Sequence, residues 1–150
     1  MKKDTFIKLI TGNHSLYLDT NIFIYHLEDK DPYSQLTTPL FELLESGKII
    51  GHTSVLSLME LNVGPYKQGR ADLSFSHTAL LQNLKGLKIH PVDLEIADLS
   101  AQYRARYSFT APDSLHLATG VISKSKLFLG NDKSLRKFKE LDLMILDEFI

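Results

Sequence analysis

Short apolar runs alternate along this chain with longer stretches of helical periodicity. Residues 4–11 place Phe6, Ile7 and Ile10 on one side of a short helix. Leu16-Tyr17-Leu18 is a compact apolar run ending at Asp19, and it reads as a buried strand. Residues 20–28 regain helical character, and Asp31-Pro32 marks a turn. The next helix ends near Gly47; Pro39 stands either in its first turn or at a break in a longer helix. A second strand is predicted over residues 48–52. An apolar helix over 54–63 follows, with Gly64-Pro65 as its stop. A more polar helix is expected from about 67 to 84, and a third strand over 87–90. Residues 93–106 form a helix with Leu94, Ala97, Ala101 and Ala105 along one side, and a further helix spans 112–123. Leu127-Phe128-Leu129 is a fourth strand, Asp132 opens a short helix, and residues 143–146 supply a possible fifth strand. Strands alternating with helices predict an α/β fold in three layers, α/β/α, around a central parallel sheet of four to five strands.

In such a sheet ligands bind beyond the carboxyl ends of the strands. Asp19 ends the first strand and Asp132 lies just past the fourth, so both face one edge. Each has an ordinary alternative as a helix cap or turn residue. Glu60 sits in Val55-Leu56-Ser57-Leu58-Met59-Glu60-Leu61, surrounded by apolar neighbours. Thr53, Ser57 and Glu60 fall at i, i+4 and i+7, a narrow polar stripe on one helix face. A carboxylate buried there needs donors, a cation or a raised pKa, unless the stripe faces water. Asp113 fits a cap, since Thr110-Ala111-Pro112-Asp113 has the spacing of a capping box. It also stands at the start of a small, apolar helix packed against the sheet. His116, three residues on, reads either as a metal ligand or as a hydrogen-bonded, half-buried side chain.

Composition narrows the chemistry. With 150 residues the chain fits one domain spanning 1–150. It contains no cysteine, which excludes disulfides, thiolate zinc sites and cysteine nucleophiles. No secretory signal or apolar run of membrane-spanning length is visible, so a cytoplasmic protein away from membranes is expected. Net charge is −1 and does not advertise a nucleic-acid binder. Between Lys124 and Lys139, however, six basic residues stand against Asp132 alone. HExxH, phosphate-cradling glycine loops and a GxSxG elbow are absent. What remains is four carboxylates: Asp19, Glu60, Asp113 and Asp132. Hard divalent cations such as Mg²⁺ or Mn²⁺ prefer carboxylate oxygens and keep several waters. Ions held there would relieve the mutual repulsion and activate a water for attack at phosphorus.

Four motifs in series carry a family resemblance. Leu16-Tyr17-Leu18-Asp19-Thr20-Asn21-Ile22-Phe23-Ile24 closely resembles the opening motif of PIN domains. Residues 53–61 resemble the second motif, with Glu60 as its acid; residues 111–119 the third, with Asp113; residues 129–135 the fourth, with Asp132. The size is similar to VapC-type toxins of prokaryotic toxin–antitoxin pairs. Two departures are residues 1–15 ahead of the first motif and Gly120 where the family often has alanine.

The resemblance implies a Mg²⁺- or Mn²⁺-dependent endoribonuclease, commonly a homodimer and held inactive by an antitoxin. It makes Asp19 the central metal ligand, with Glu60, Asp113 and Asp132 completing the acidic pocket directly or through waters. Thr20 and Asn21 are expected to orient Asp19 or bind phosphate, Asn131 likewise, and Ser54 and Ser57 to support the pocket. Because four carboxylates repel RNA, nearby cations are needed along its path; Lys133, Arg136, Lys137, Arg104 and Arg106 are the candidates, the alternative being a solvated helix face. Two other functions stay open at this point. One is a PIN-like module that binds RNA or protein without catalysis; the other is a different metal-dependent phosphohydrolase.

Overall fold

Leu16, Tyr17 and Leu18 are fully buried because the strand they form, β1 (Ser15–Leu18), runs through the middle of a sheet covered on both faces. The structure is a computed structural model describing residues 1–150. Around β1 lie α1 (Lys2–Asn13), α2 (Thr20–Leu27), α3 (Ser34–Glu45), β2 (Ile50–Ser54), α4 (Val55–Lys67), α5 (Ala71–Asn83) and β3 (Leu87–His90). The second part of the chain adds α6 (Leu94–Tyr107), α7 (Ala111–Ile122), β4 (Leu127–Gly130) and β5 (Asp142–Ile145), with short 3-10 turns at Lys133–Lys137 and Leu146–Phe149. All five strands are parallel, in the order β3-β2-β1-β4-β5. This is the expected three-layer α/β/α architecture.

Alternation along the strands divides the interior in two. Leu16, Leu18, Leu127 and Leu129 point to the face packed by Phe6 and Ile10 of α1, Ile22 and Phe23 of α2, and Leu36, Leu40 and Leu44 of α3. Tyr17 and Phe128 point the other way, toward α6 and α7, where they stack with ring centroids 5.1 Å apart. Gly120 explains itself here. A Cβ at this position would lie 3.0 Å from Leu141 Cδ2 and 3.4 Å from Tyr17 Cβ, so the missing side chain lets α7 seat closely on β1. No helix is long and apolar enough to cross a membrane.

Two expectations are corrected, and on α6 the structure decides which side is buried. Gly64-Pro65 does not stop α4, which continues to Lys67. Pro65 lacks the N–H that would bond four residues back, yet the last turn closes past it, the carbonyls of Gly64 and Pro65 both accepting from the Gln68 N–H at 3.1 Å. The turn falls instead at Gly69, whose φ of 67° suits glycine. Pro39 is accommodated inside α3 without ending it. On α6 the buried residues are Ile96, Ser100 and Tyr103, while Leu94, Ala97, Ala101 and Ala105 face outward. Small side chains gave a helical stripe, but the larger ones decide which side the core takes.

Candidate active site

The strand order creates a switch point. The chain leaves β1 toward β2 and β3, then crosses back to pair β4 on the opposite side of β1. The carboxyl ends of β1 and β4 therefore open onto a crevice, the place where open parallel sheets bind ligands. Asp19 directly follows β1. Its backbone N–H donates to Leu129 O at 2.9 Å, and its Oδ1 accepts the Thr20 N–H at 2.8 Å, capping α2. Gly130 ends β4 beside it; a Cβ there would sit 3.3 Å from Asp19 Oδ2, so glycine lets the strand end approach that carboxylate. Asp132 lies on the exposed rim and caps the following turn, accepting from Ser134 N at 2.9 Å and Ser134 Oγ at 2.7 Å. Asp113 occupies the first turn of α7, where its own N–H donates to Thr110 Oγ1 at 3.3 Å. Three of the acids thus belong to helix or turn starts as well as to the crevice.

Glu60 is held differently. Its Oε1 accepts from Thr20 Oγ1 at 2.9 Å and from His116 Nε2 at 2.6 Å. A carboxylate only accepts, which places a hydrogen on Nε2. The other ring nitrogen, Nδ1, is 2.6 Å from Tyr17 OH. Behind Thr20 a line of buried hydroxyls continues: Thr20 Oγ1 to Ser57 Oγ at 3.0 Å, Ser57 to Thr53 Oγ1 at 2.8 Å, and Thr53 to the Leu18 carbonyl at 2.9 Å. The stripe of Thr53, Ser57 and Glu60 therefore faces the crevice, although Thr53 belongs to β2 rather than to the helix. With Oε1 saturated, Oε2 is the oxygen left for a ligand.

His116 is buried, at 2% exposure, and its Nε2 also lies 3.7 Å from Asp19 Oδ1. Burial pushes the imidazole toward neutrality, but the hydrogen bond to Glu60 and the charges of Asp19, Glu60 and Asp113 outweigh it, so its pKa is raised. Burial likewise raises Glu60, yet His116 and Thr20 together bring it below the usual carboxylate range. Asp19 is raised, by burial first, with Glu60 and Asp113 adding and His116 opposing. Asp113 is raised by burial, with the charges of Asp132 and Glu60 adding. One imidazole thus faces a group of mutually repelling carboxylates. The sequence left His116 open between a metal ligand and a hydrogen-bonded side chain, and the structure shows the hydrogen bond; Tyr17 read as core alone. The i+3 spacing from Asp113 was the available signal.

The donor set suits a hard divalent cation, being all carboxylate oxygen with His116 already committed to Glu60. No three Asp, Glu or His side chains converge closely enough to hold one ion directly. That geometry fits an ion such as Mg²⁺, which keeps several waters and takes one or two carboxylates, with the other acids reached through water. Asp19 and Glu60 Oε2 are the inner candidates, and Asp113 and Asp132 the outer ones.

The remaining sequence candidates divide. Thr20 orients Asp19 through its backbone and Glu60 through its hydroxyl. Asn21 Oδ1 is buried without a hydrogen-bond partner. Ser57 joins the hydroxyl line, whereas Ser54 caps α4 by accepting the Leu56 N–H at 3.1 Å. Asn131 turns away: its amide donates to Tyr25 OH and Asp147 Oδ1 and accepts the Asp147 N–H, tying the β4 loop to the C-terminal turn. Lys133 and Arg136 pair with Asp147 and Glu148, and Arg106 with Glu140 at 2.9 Å. Arg104 and Lys137 carry no ion pair. Both meet Phe109 instead, Arg104 Nε donating to its carbonyl at 3.3 Å and Lys137 Nζ lying 4.8 Å from its ring centre.

Among protein families, PIN domain matches residues 16–141. No curated protein matches the chain. Solved structures of similar fold include VapBC2 from Rickettsia felis bound to a DNA fragment from its promoter, 18% identical with a TM-score of 0.69, over 87% of this chain and 97% of that one. A toxin–antitoxin complex from Klebsiella pneumoniae is 20% identical with a TM-score of 0.63, over 88% and 98%. DNA-bound VapBC from Salmonella typhimurium is 18% identical with a TM-score of 0.68, over 88% and 98%.

Proposed function

The chain belongs to the PIN domain family, and from that premise we propose that it is a Mg²⁺- or Mn²⁺-dependent endoribonuclease, the toxin of a toxin–antitoxin pair. The observation that carries the reading is Glu60, an acid drawn from α4 into the crevice beside Asp19 and held there by Thr20 and His116. A helix cap explains Asp19, Asp113 and Asp132 individually; it does not explain Glu60. A bound ion would neutralise this crowd, lower the pKa of a water and stabilise charge gathering on the phosphoryl oxygens. The chain's part is to position. Asp19 and Glu60 Oε2 offer oxygens for the ion. His116 and Thr20 keep Glu60 from swinging toward water. Asp113 and Asp132 line the approach, where they would hold ordered water. Arg104 and Lys137, free of carboxylate partners, are the cations best placed to meet backbone phosphates, and Lys133, Arg136 and Arg106 would first have to leave theirs.

The partners follow the same reading. Each of the three solved relatives is a complex that contains an antitoxin or is named as VapBC. We take an antitoxin as the regulator of this chain and a homodimer as its assembly. Purified protein should cleave single-stranded RNA with Mg²⁺ or Mn²⁺ and not with EDTA. Failure to cleave any RNA in either metal would remove the nuclease reading. Co-expression with the product of a neighbouring small gene should suppress cleavage; a product that neither binds nor inhibits would remove the toxin reading alone.

A further inference from the structure

Tyr17 is the buried end of a line of contacts that finishes at Glu60. It is fully buried on β1, and its ring stacks on Phe128 at 5.1 Å. A phenylalanine would fill that place as well, so packing leaves the hydroxyl unexplained. The hydroxyl lies 2.6 Å from His116 Nδ1, and His116 Nε2 lies 2.6 Å from Glu60 Oε1. The two rings meet edge to face, with centroids 5.8 Å apart. The imidazole is thus held at both nitrogens, from the core on one side and from the crevice on the other. Spacing along the chain builds this arm. Tyr17 and Asp19 are two residues apart on extended backbone, so both point to the same side of β1. His116 follows Asp113 by three residues, so both stand on one face of α7.

We propose that Tyr17 is a positioning residue: its hydroxyl fixes the orientation of the His116 ring, and through that ring it aims Glu60 Oε2 at the ion in the crevice. The proposal rests on the reading of the crevice as the ion site of a ribonuclease. A half-turn of the imidazole about its bond to Cβ would put ring carbons where both nitrogens stand, and both hydrogen bonds would be lost. Glu60, at 32% side-chain exposure, is a mobile partner and a poor anchor for the ring. Tyr17 is immobile on the central strand of the sheet. A hydroxyl both donates and accepts, so it meets Nδ1 whether or not that nitrogen carries a hydrogen, while Nε2 keeps its own for Glu60. A phenyl ring does neither. Glu60 Oε1 is then occupied by His116 and by Thr20 Oγ1 at 2.9 Å, and Oε2 is left already aimed. A carboxylate held in this way meets an ion without first giving up its rotamer freedom.

The test uses Tyr17→Phe, which keeps the ring and its stack on Phe128 and deletes only the hydroxyl. Mn²⁺ binding to the full chain is measured without RNA, by paramagnetic resonance of the free ion. Affinity should fall at least about threefold, the weight of one net hydrogen bond. In EDTA, ¹H–¹⁵N spectra should show one sharp His116 Nε2–H signal in the wild type and a broadened one in the variant. In a His116→Ala background Tyr17→Phe should change Mn²⁺ affinity no further, because the hydroxyl acts through the ring. His116→Gln keeps a donor for Glu60 and loses the nitrogen that faces Tyr17. It too should bind Mn²⁺ more weakly than the wild type, and it carries the test should Tyr17→Phe fold poorly. A lower Tm for Tyr17→Phe with unchanged spectra and Mn²⁺ affinity would overturn the proposal and reduce Tyr17 to packing. An equal loss with and without His116, or a wild type that binds no Mn²⁺, would overturn it as well. Weaker Mn²⁺ binding by Tyr17→Phe in a chain that cleaves no RNA would uphold the positioning role and remove the nuclease reading. Normal RNA cleavage with wild-type Mn²⁺ affinity in Tyr17→Phe would do the reverse.

Discussion

His116 on α7 and His52 on β2 are both buried, at 2% and 7% exposure, and both use Nδ1 in a short hydrogen bond. Their proton affinities nevertheless move in opposite directions. His116 is raised, because Asp19, Glu60 and Asp113 outweigh its burial. His52, on β2, is lowered to about 4, first by burial and then by His90 and Lys88. Its Nδ1 lies 2.8 Å from His90 Nε2, and His90 is lowered as well. Two imidazoles sharing one hydrogen bond can hold only one hydrogen between them, so a second proton there is resisted. The same residue type is drawn toward its charged form beside the carboxylates and held toward its neutral form on β2. Burial costs both of them a charge; only carboxylate neighbours return it.

The comparison can be broken or sharpened by measurement. Asp19→Asn keeps the shape of the crevice and removes its central charge. Cleavage should fall at least about 100-fold, the size seen for single electrostatic contacts in a transition state. His52→Asn should leave it unchanged, and equal losses in the two would erase the distinction between the regions.

The next effect concerns positioning. His116→Ala releases Glu60 and removes the imidazole that lies 3.7 Å from Asp19, leaving both carboxylates in place. Partners that orient metal ligands typically contribute 10–100-fold in metal affinity or activity. A Mg²⁺ titration of cleavage should show the half-saturating concentration rising by about that factor, with His116→Gln recovering part of it. An unchanged Mg²⁺ requirement would reduce His116 to core packing.

Stability against pH separates the two sites without any catalysis. For His52 the folded pKa, about 4, lies below the unfolded value near 6.5. The unfolded state binds more protons between those values, so stability present at neutral pH is lost as pH falls through that window. At pH 5 the loss is about 2 kcal/mol, taken at 1.36 kcal/mol per pH unit. For His116 the folded value is raised, so its contribution is complete below about 6.5 and is lost as pH rises through the folded value. In EDTA, thermal melts of His52→Asn should lack the acid limb and keep the alkaline one. A variant with the wild-type slope between pH 6.5 and 5 would disprove the assignment to His52.

The smallest effect is at the rim. Asp132→Asn relieves repulsion toward Asp113 while keeping a side chain able to cap. Because Asp132 is exposed and screened, Tm in EDTA should rise by no more than about 2 °C. A clear fall would show that its bonds to Ser134 outweigh the crowding.

Much of this protein was written locally in its chain. Leu16-Tyr17-Leu18 and Leu127-Phe128-Leu129 are apolar on consecutive positions because both faces of a central strand are covered, and that signal survives without any partner in view. The places of Asp19 and Asp132 follow from the ends of those strands, and Asp113 from a helix start marked by Thr110 and Pro112. Helix ends were less legible: Pro65 gives up one hydrogen bond, yet α4 runs two residues past it to Lys67.

Other features depended on contacts between residues far apart. Glu60 and His116 are 56 positions from each other, and nothing in either segment announces the hydrogen bond between them. Lys133 and Arg136 look like free cations in sequence, yet the final turn of the chain supplies Asp147 and Glu148 to pair with them. The outward face of α6 carries Leu94 and three alanines because Ile96 and Tyr103 bury more area on the other side. Periodicity is a property of neighbours along the chain, so sequence alone determined the strands, the layers and the edge on which the acids gather. Which oxygen of Glu60 remains free, which histidine has its proton affinity raised and which cations stay unpaired are properties of three-dimensional neighbours, and those only the packed structure decided.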